Sequence, residues 1–199
     1  MIIVIDYYRL SVYDNCRNDL LKGGLNMDNN NVAGEYTDLY DEFKVKTGKK
    51  LFRKKGTKLE VPKGYYNIVV LAFIKNSEGK YLIQKTSSRK KGVYATTGGH
   101  VKSGEDSTHA IINEIKEELG IDIKRDECEL FKTYKYESAF KDVYYIEKDI
   151  DISKIKYEKD EVESAEYMSV DEIEKLISDN KFRKTNIDAF KDIVKKNEI

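Results

Sequence analysis

The stretch TGGHVKSGEDSTHAIINEIKEELGI, residues 97–121, joins a glycine-rich loop to a segment with helical periodicity. Its apolar positions recur at the spacing of one buried helix face, at Ile111, Ile115 and Leu119. The spacing predicts a helix from about Asp106 to Leu119, and Gly120 stands where a left-handed C-cap is expected. The loop and the helix therefore form one local unit, from which the rest of the chain can be interpreted.

Three carboxylates are predicted on the other face of this helix. Glu114, Glu117 and Glu118 stand at positions i, i+3 and i+4, a spacing that brings their side chains together. Like charges this close repel each other unless a cation lies among them, and Mg²⁺ or Mn²⁺ prefers oxygen ligands of this kind. A solvated acidic face is the alternative interpretation, and the triplet alone does not exclude it.

Outside this unit, strand-like runs are followed by two further helical segments. The strand-like runs cover residues 67–74, 81–84, 129–136, 143–146 and 166–168. A capping box at residues 169–172 opens one helix, and an apolar stripe over residues 187–194 indicates the last one. Thr47 and Gly48 predict the turn of a small N-terminal β-hairpin. Because strands outnumber helices without alternating regularly with them, the predicted class is α+β: an α/β/α sandwich with a mixed β-sheet flanked by helices.

The composition limits the possible functions. The chain has 199 residues, 40% of them apolar, which suits one domain with a packed core and excludes wholesale disorder. Its 36 basic and 36 acidic side chains cancel, which argues against a polybasic nucleic-acid binder. Cys16 and Cys128 are too few for a four-ligand zinc site or a disulfide framework, so we expect a cytoplasmic protein. No stretch approaches the roughly 20 apolar residues that span a bilayer, so no membrane partner is expected.

Residues 1–33 differ from the rest of the chain because they show no sustained period. They are interpreted as an N-terminal extension, followed by one domain over residues 34–199. Codons for the Lys-Gly-Gly run that ends at Gly24 can spell a ribosome-binding sequence shortly before Met27. We therefore hypothesise that translation starts at Met27 and that residues 1–26 are upstream sequence. A genuine N-terminal extension is the alternative.

Taken together, the loop and the helix resemble the Nudix box. That box is a glycine and a glutamate followed by an Arg-Glu-aliphatic-X-Glu-Glu-X-Gly-aliphatic segment, and here it comprises Gly99, Glu105 and residues 113–121. Every defining position matches except Asn113, which replaces the arginine. The resemblance implies the Nudix fold and a metal-dependent hydrolase that acts on a nucleoside diphosphate linked to another group.

The resemblance also implies functional residues. The ligands of Mg²⁺ or Mn²⁺ would be the Gly99 carbonyl, Glu114, Glu117 and Glu118. Glu105 would hold the loop against the helix or join a second ion. Glu161, in a distal acidic segment, would supply a further ligand or the general base, with a solvated acidic loop as an equal alternative. The candidate catalytic residues are therefore Glu105, Glu117, Glu118 and Glu161.

Asn113 is the departure from the family pattern. In the family the arginine pairs with box glutamates and fixes their rotamers, whereas asparagine is short, uncharged and unable to form a bidentate fork. It can still hydrogen-bond one carboxylate. We therefore expect a less firmly oriented site rather than the loss of the site.

Segments around the box are similar to those of the isopentenyl-diphosphate isomerase-like Nudix hydrolases. These segments include residues 40–41, 82–85, 98–101 and 104–106. True isomerases have a cysteine where this chain has Gly98, and their box is degenerate, so the resemblance favours hydrolysis over isomerisation. His100 matches a metal-binding histidine of the isomerases and is a further candidate ligand.

Basic and aromatic side chains ahead of the box are the candidates for substrate binding. Arg89 and Lys91 could reach a substrate diphosphate, and Tyr94 could stack on a base, with packing as its alternative role. The lysine-rich residues 44–58 could attract RNA, but a solvated hairpin is the preferred interpretation. The expected partner is a small phosphorylated molecule, and the oligomeric state is left open. A non-catalytic nucleotide-binding module on the same scaffold is the alternative function.

Overall fold

The computed structural model describes residues 33–197. Apart from Ala33, the predicted extension over residues 1–33 lies outside this range, as does the hypothetical start at Met27, and both stay predictions. Within the described residues, no helix is long and apolar enough to cross a membrane.

Residues 33–197 contain nine β-strands and three α-helices, joined by loops and short 3₁₀ turns. The strands are β1 (Gly34–Tyr40), β2 (Lys46–Lys54), β3 (Asn67–Lys75), β4 (Tyr81–Thr86), β5 (Tyr94–Ala95), β6 (Thr97–His100), β7 (Glu129–Lys135), β8 (Ala139–Glu147) and β9 (Val162–Met168). The helices are α1 (Ser107–Leu119), α2 (Val170–Ser178) and α3 (Ile187–Asn197).

The central sheet is mixed, as predicted. In the described part of the chain it has seven strands, with the order β5-β4-β3-β8-β7, while β6 also pairs with β3 and β9 with β4. The nearly continuous apolar run of β3 suits its central place, where it pairs in parallel with β8 and antiparallel with β6. The β3–β6 pairing runs from Val69 opposite His100 to Ala72 opposite Thr97, so the glycine-rich loop lies in the middle of the sheet.

Each face of the sheet is covered by helices, because alternate residues of its strands point to opposite sides. On one face, Val70 of β3 belongs to an apolar cluster that includes Ile111 of α1. On the other face, Phe73 of β3 packs in a second cluster with Ile173 of α2 and Phe190 of α3. Burying each such large apolar side chain stabilises the fold by about 1.5–3 kcal/mol. This arrangement confirms the predicted sandwich.

The N-terminal hairpin is present as a separate two-stranded sheet of β1 and β2, but its predicted turn is wrong. The chain reverses between Asp41 and Val45, where the Asp41 carboxylate accepts hydrogen bonds from the N–H groups of Phe43 and Val45, both at 2.9 Å. Gly48, with a φ of 78°, lies inside β2, where the register with β1 shifts. A glycine with positive φ suits a β-bulge as well as a turn, which is why the Thr-Gly pair was misleading.

Candidate active site

Helix α1 begins and ends close to where the sequence predicts. Asp106 is its N-cap, and the carboxylate accepts a hydrogen bond from the His109 N–H at 2.8 Å. Gly120 is its C-cap with a φ of 68°, and the glycine N–H donates to the Lys116 carbonyl at 3.0 Å. These caps, together with the burial of Ile115, fix the rotation of α1 and hence the direction of each glutamate.

Glu114 packs directly on the glycine-rich loop. The pairing of β6 with β3 places Gly99 opposite Val70. A β-carbon at position 99 would overlap the Glu114 carboxylate, so only glycine permits this close approach. The structure therefore brings together two of the residues that the resemblance assigns to one metal ion.

Glu118 is buried between α1 and the sheet, with 8% of its surface exposed. Its carboxylate accepts a hydrogen bond from Gln84 Nε2 of β4 at 3.0 Å. The prediction of three carboxylates opposite the apolar stripe is therefore wrong for this residue. Glu118 follows Ile115 by three positions and Ile111 by seven, and at 3.6 residues per turn it falls on the same face as they do.

Glu117 points toward solvent, and its side chain is 53% exposed. It pairs with the loop residue Lys102, whose Nζ lies 3.1 Å from Oε1 of Glu117. Glu114, Glu117 and Glu118 thus take three different directions from one helix. As the side chains stand, no three acidic, histidine or cysteine side chains of residues 33–197 converge closely enough to hold a metal ion.

The surroundings of the Glu114 and Glu118 carboxyls nevertheless suit a cation. Burial, followed by the charges of Glu118 and Glu117, raises the pKa of Glu114 to about 8. Burial likewise raises the pKa of Glu118 to about 7, against the effect of the Gln84 hydrogen bond. A divalent cation would favour the ionised forms, and carboxylates with a backbone carbonyl are the oxygen donors that Mg²⁺ and Mn²⁺ prefer. The chemistry of the donors of Gly99, Glu114, Glu117 and Glu118 therefore fits such an ion, provided that the Glu117 side chain turns inward from its ion pair with Lys102.

Asn113 and Glu105 are hydrogen-bonded to each other. The Asn113 amide donates from Nδ2 to Glu105 Oε1 at 3.0 Å, which ties the loop to α1. The asparagine that replaces the family's arginine thus still contacts one carboxylate. This contact involves the loop glutamate rather than one of the three on the helix.

The N-terminal hairpin holds the same loop from its other side, a role that sequence reasoning missed. Asp38 of β1 accepts hydrogen bonds from the Ser103 hydroxyl at 2.7 Å and from the Gly104 N–H at 3.1 Å. The Thr37 hydroxyl donates to the Val101 carbonyl at 2.9 Å. The backbone of residues 101–104 is therefore fixed by β1 as well as by α1.

Arg53 of β2 reaches the residue that follows Gly99. Its Nη1 lies 3.0 Å from Nδ1 of His100, its Nη2 pairs with Glu35 of β1, and its Nε is buried without a hydrogen-bond partner in the described part of the chain. Burial, followed by the charge of Arg53, lowers the pKa of His100 to about 4. The sequence contains one weak indication that Arg53 has a special role, since it is the single arginine of the lysine-rich residues 44–58.

The distal candidate Glu161 lies near the box. Its carboxylate pairs with Lys90 Nζ at 2.7 Å. Burial is the main cause that raises the pKa of Glu118. The charge of Glu161 raises this pKa further and the charge of Lys90 lowers it, so Glu161 and Lys90 both lie within electrostatic reach of Glu118. Besides burial and Arg53, Lys90 also lowers the pKa of His100. Lys90, which sequence reasoning passed over in favour of its two neighbours, therefore lies in reach of both sides of the site.

The three predicted substrate-binding residues have different surroundings. Arg89 is exposed and pairs with Asp160 at 2.8 Å. Lys91 is exposed too, and its φ of 80° ends a short 3₁₀ turn. Tyr94 packs against the apolar cluster beneath α2 and α3, and its backbone forms a β-bridge with Phe182. The structure thus places Tyr94 in the cluster on the sheet face opposite α1.

Known proteins share both the sequence pattern and this fold. Residues 65–190 match the NUDIX domain. An uncharacterised Nudix hydrolase of Listeria monocytogenes is 34% identical over 152 residues, which are 74% of this chain and 88% of that protein. A crystal structure from Deinococcus radiodurans has a TM-score of 0.61 at 22% identity, over 77% of this chain and 94% of that one. A MutT protein from Methanosarcina mazei has a TM-score of 0.51 at 20% identity, over 71% of this chain and 100% of that one. With the box residues assembled on this fold and a relative this similar over most of both chains, the protein belongs to the Nudix hydrolase family.

Proposed function

We propose that this Nudix hydrolase is a pyrophosphohydrolase that acts in the cytoplasm on the diphosphate linkage of a small nucleoside-diphosphate-type substrate, with Mg²⁺ or Mn²⁺ as cofactor. The observation that supports this most is the packing of the Glu114 carboxylate on Gly99, with Glu118 buried one turn further along α1. Burying carboxyls so close together opposes folding unless a positive charge joins them. A cation site explains why the chain keeps them there.

The proposed ligands are the Gly99 carbonyl and the carboxylates of Glu114, Glu117 and Glu118. A divalent ion bound there would neutralise a diphosphate and lower the pKa of an attacking water. Lys102 keeps the exposed Glu117 beside the loop. The Asn113–Glu105 hydrogen bond keeps the loop, and with it the Gly99 carbonyl, at the side of α1.

Glu161 is the proposed general base, accepting the proton of the attacking water at its carboxylate. Its ion pair with Lys90 holds the carboxylate in place, and its effect on Glu118 indicates that it lies near the proposed ligands. Arg89, Lys90 and Lys91 form a basic segment beside it, which we propose binds the substrate diphosphate. The position of Tyr94 in the opposite cluster supports packing over base stacking.

The surroundings of Gly98 support hydrolysis over isomerisation. A β-carbon at position 98 would overlap the Val70 carbonyl and the Leu71 side chain. The cysteine that isomerases have at this position would therefore not fit here without a shift of the backbone. The likeness to the isomerase-like subgroup thus concerns the sequence around the box and not the isomerase chemistry.

A substrate panel tests the proposal directly. Nucleoside diphosphate derivatives and isoprenoid diphosphates would be incubated with Mg²⁺ or Mn²⁺, and we expect metal-dependent release of a monophosphate product from a nucleotide substrate. Glu117→Gln should abolish this activity. Glu174→Gln, a matched change at an exposed position on α2, should leave it unchanged.

The other outcomes are equally informative. Equal activity of the Glu117→Gln variant would show that the metal assignment is wrong. Ligand binding without turnover in excess metal would favour the non-catalytic binding module. Interconversion of the two isoprenoid diphosphates would replace hydrolysis by isomerisation.

A further inference from the structure

The contact between Arg53 and His100 determines which nitrogen of the imidazole bears the proton. A guanidinium group has N–H donors and no acceptor. Because Arg53 Nη1 lies 3.0 Å from Nδ1 of His100, Nδ1 must be the acceptor. In a neutral ring the proton then resides on Nε2, which becomes a donor.

The hairpin is built to keep this geometry. Glu35 of β1 holds the Arg53 guanidinium from the neighbouring strand. Asp38 of the same strand binds Ser103 and Gly104, so the hairpin also holds the loop three and four residues after His100. The orientation of the imidazole is therefore set by groups that the box does not contain.

Nε2 is the ring nitrogen that is left for a ligand. Among residues 33–197, Nε2 of His100 makes no hydrogen bond to protein. His100 directly follows Gly99, and the ammonium of Lys90 is within electrostatic reach of both His100 and Glu118. An anion held between Lys90 and the box would therefore lie near the His100 ring.

We propose that His100 hydrogen-bonds a phosphate oxygen of the substrate through Nε2–H, and that Arg53, held by Glu35, is the positioning residue that fixes this tautomer. The inference rests on the proposed diphosphate substrate. It separates this chain from the isomerases that it resembles, since a nitrogen that bears a proton has no lone pair for a metal. His100 is then a substrate-binding residue and not a metal ligand.

Nitrogen-15 NMR of the protein tests the tautomer without any substrate. The chain has two histidines, and the exposed His109 serves as an internal reference. In a long-range proton–nitrogen correlation at neutral pH, we expect His100 to show one protonated nitrogen, Nε2. Arg53→Met should convert this pattern to a mixture of tautomers. A wild-type ring protonated at Nδ1 would overturn the proposal.

Binding measurements test the ligand. Methylenediphosphonate, a diphosphate that cannot be hydrolysed, would be titrated in excess Mn²⁺, and Mn²⁺ alone would be titrated by electron paramagnetic resonance. His100→Leu should weaken diphosphonate binding on the order of tenfold, the loss typical of a hydrogen bond to a charged group, with Mn²⁺ affinity unchanged. His100→Gln, which keeps a donor at similar reach, should restore most of the affinity, and His109→Gln should have no effect.

The results that would overturn the inference differ from those that would overturn the proposed function. Weaker binding of Mn²⁺ alone by His100→Leu would make His100 a metal ligand. Wild-type diphosphonate affinity in the same variant would show that the ring does not contact the phosphates. A wild-type protein that binds neither Mn²⁺ nor diphosphonate would contradict the proposed function itself, and this inference with it.

Discussion

Helix α1 and the β1–β2 hairpin meet at the loop after Gly99, but the sequence encodes their contributions in different ways. The helix supplies three glutamates from one short run of sequence. The hairpin supplies contacts between residues that are 47 to 66 positions apart, from Arg53 to His100 and from Asp38 to Gly104. The difference indicates that the local run decides which groups are present, whereas the distant hairpin decides how firmly they are held.

Gly99→Ala should disturb the contact between helix α1 and the loop and should lower both activity and the order of the site. The new β-carbon would overlap the Glu114 carboxylate and push it away from the loop. We expect kcat/KM to fall by about 100-fold, as displacements of about 1 Å at a reacting centre do. The measurement is steady-state kinetics, with the thermal unfolding midpoint as a control for folding. A loss smaller than that of the hairpin variant Asp38→Ala would contradict the division of roles.

Glu118→Gln tests whether a helix glutamate serves activity at the expense of stability, because the change should affect the two in opposite directions. Burial raises the folded-state pKa of Glu118 to about 7, above the ordinary value of 4.5, so the native carboxyl binds a proton more tightly than the unfolded chain does. Its contribution to stability is fully present below about pH 4.5 and is lost as the pH rises to about 7. Glutamine can accept the same Gln84 hydrogen bond without a charge to desolvate.

When a chelator keeps the protein free of metal at pH 8, the free energy of unfolding of the Glu118→Gln variant should therefore exceed that of the wild type by about 3 kcal/mol. Urea denaturation at pH 8 and at pH 4 measures this difference, which should vanish at the lower pH. Turnover should be lost. Equal stability at pH 8 would show that the buried carboxyl is not under strain from its surroundings.

Asp38→Ala tests how firmly the β1–β2 hairpin holds the loop after Gly99. The change removes the hydrogen bonds to Ser103 and Gly104 and the ion pair with Lys46. Hydrogen bonds to a charged group of this kind stabilise by about 2 kcal/mol, so we expect that loss in urea denaturation. Activity should fall by about tenfold because the loop is held less firmly. Glu42→Ala, at an exposed position in the hairpin turn, is the matched control and should change neither quantity.

Local patterns predicted most of the fold because its helix ends and buried strands are determined by neighbouring residues. The capping box at Ser169, for example, is formed by residues within one turn. The hairpin turn was misplaced because Gly48 can satisfy a bulge as well as a turn. The Arg53–His100 contact could not be predicted, since it arises only when two strands distant in sequence come together.

Asn113→Arg should have the smallest effect. It tests whether the contacts of the hairpin with the loop replace the orienting role that the box arginine has in the family. Asn113 already holds Glu105 at 3.0 Å, and Asp38 holds the loop from the other side. An arginine would add a charged fork, but a partly exposed ion pair adds at most about 1 kcal/mol, so we expect turnover to stay constant or to rise by no more than about threefold. Asn113→Leu, which removes the donor, should lower turnover more than the arginine changes it. If arginine instead caused a sharp drop, the neutral Asn113–Glu105 bond would be the element that orients the loop, and the box of this chain would depend on the asparagine.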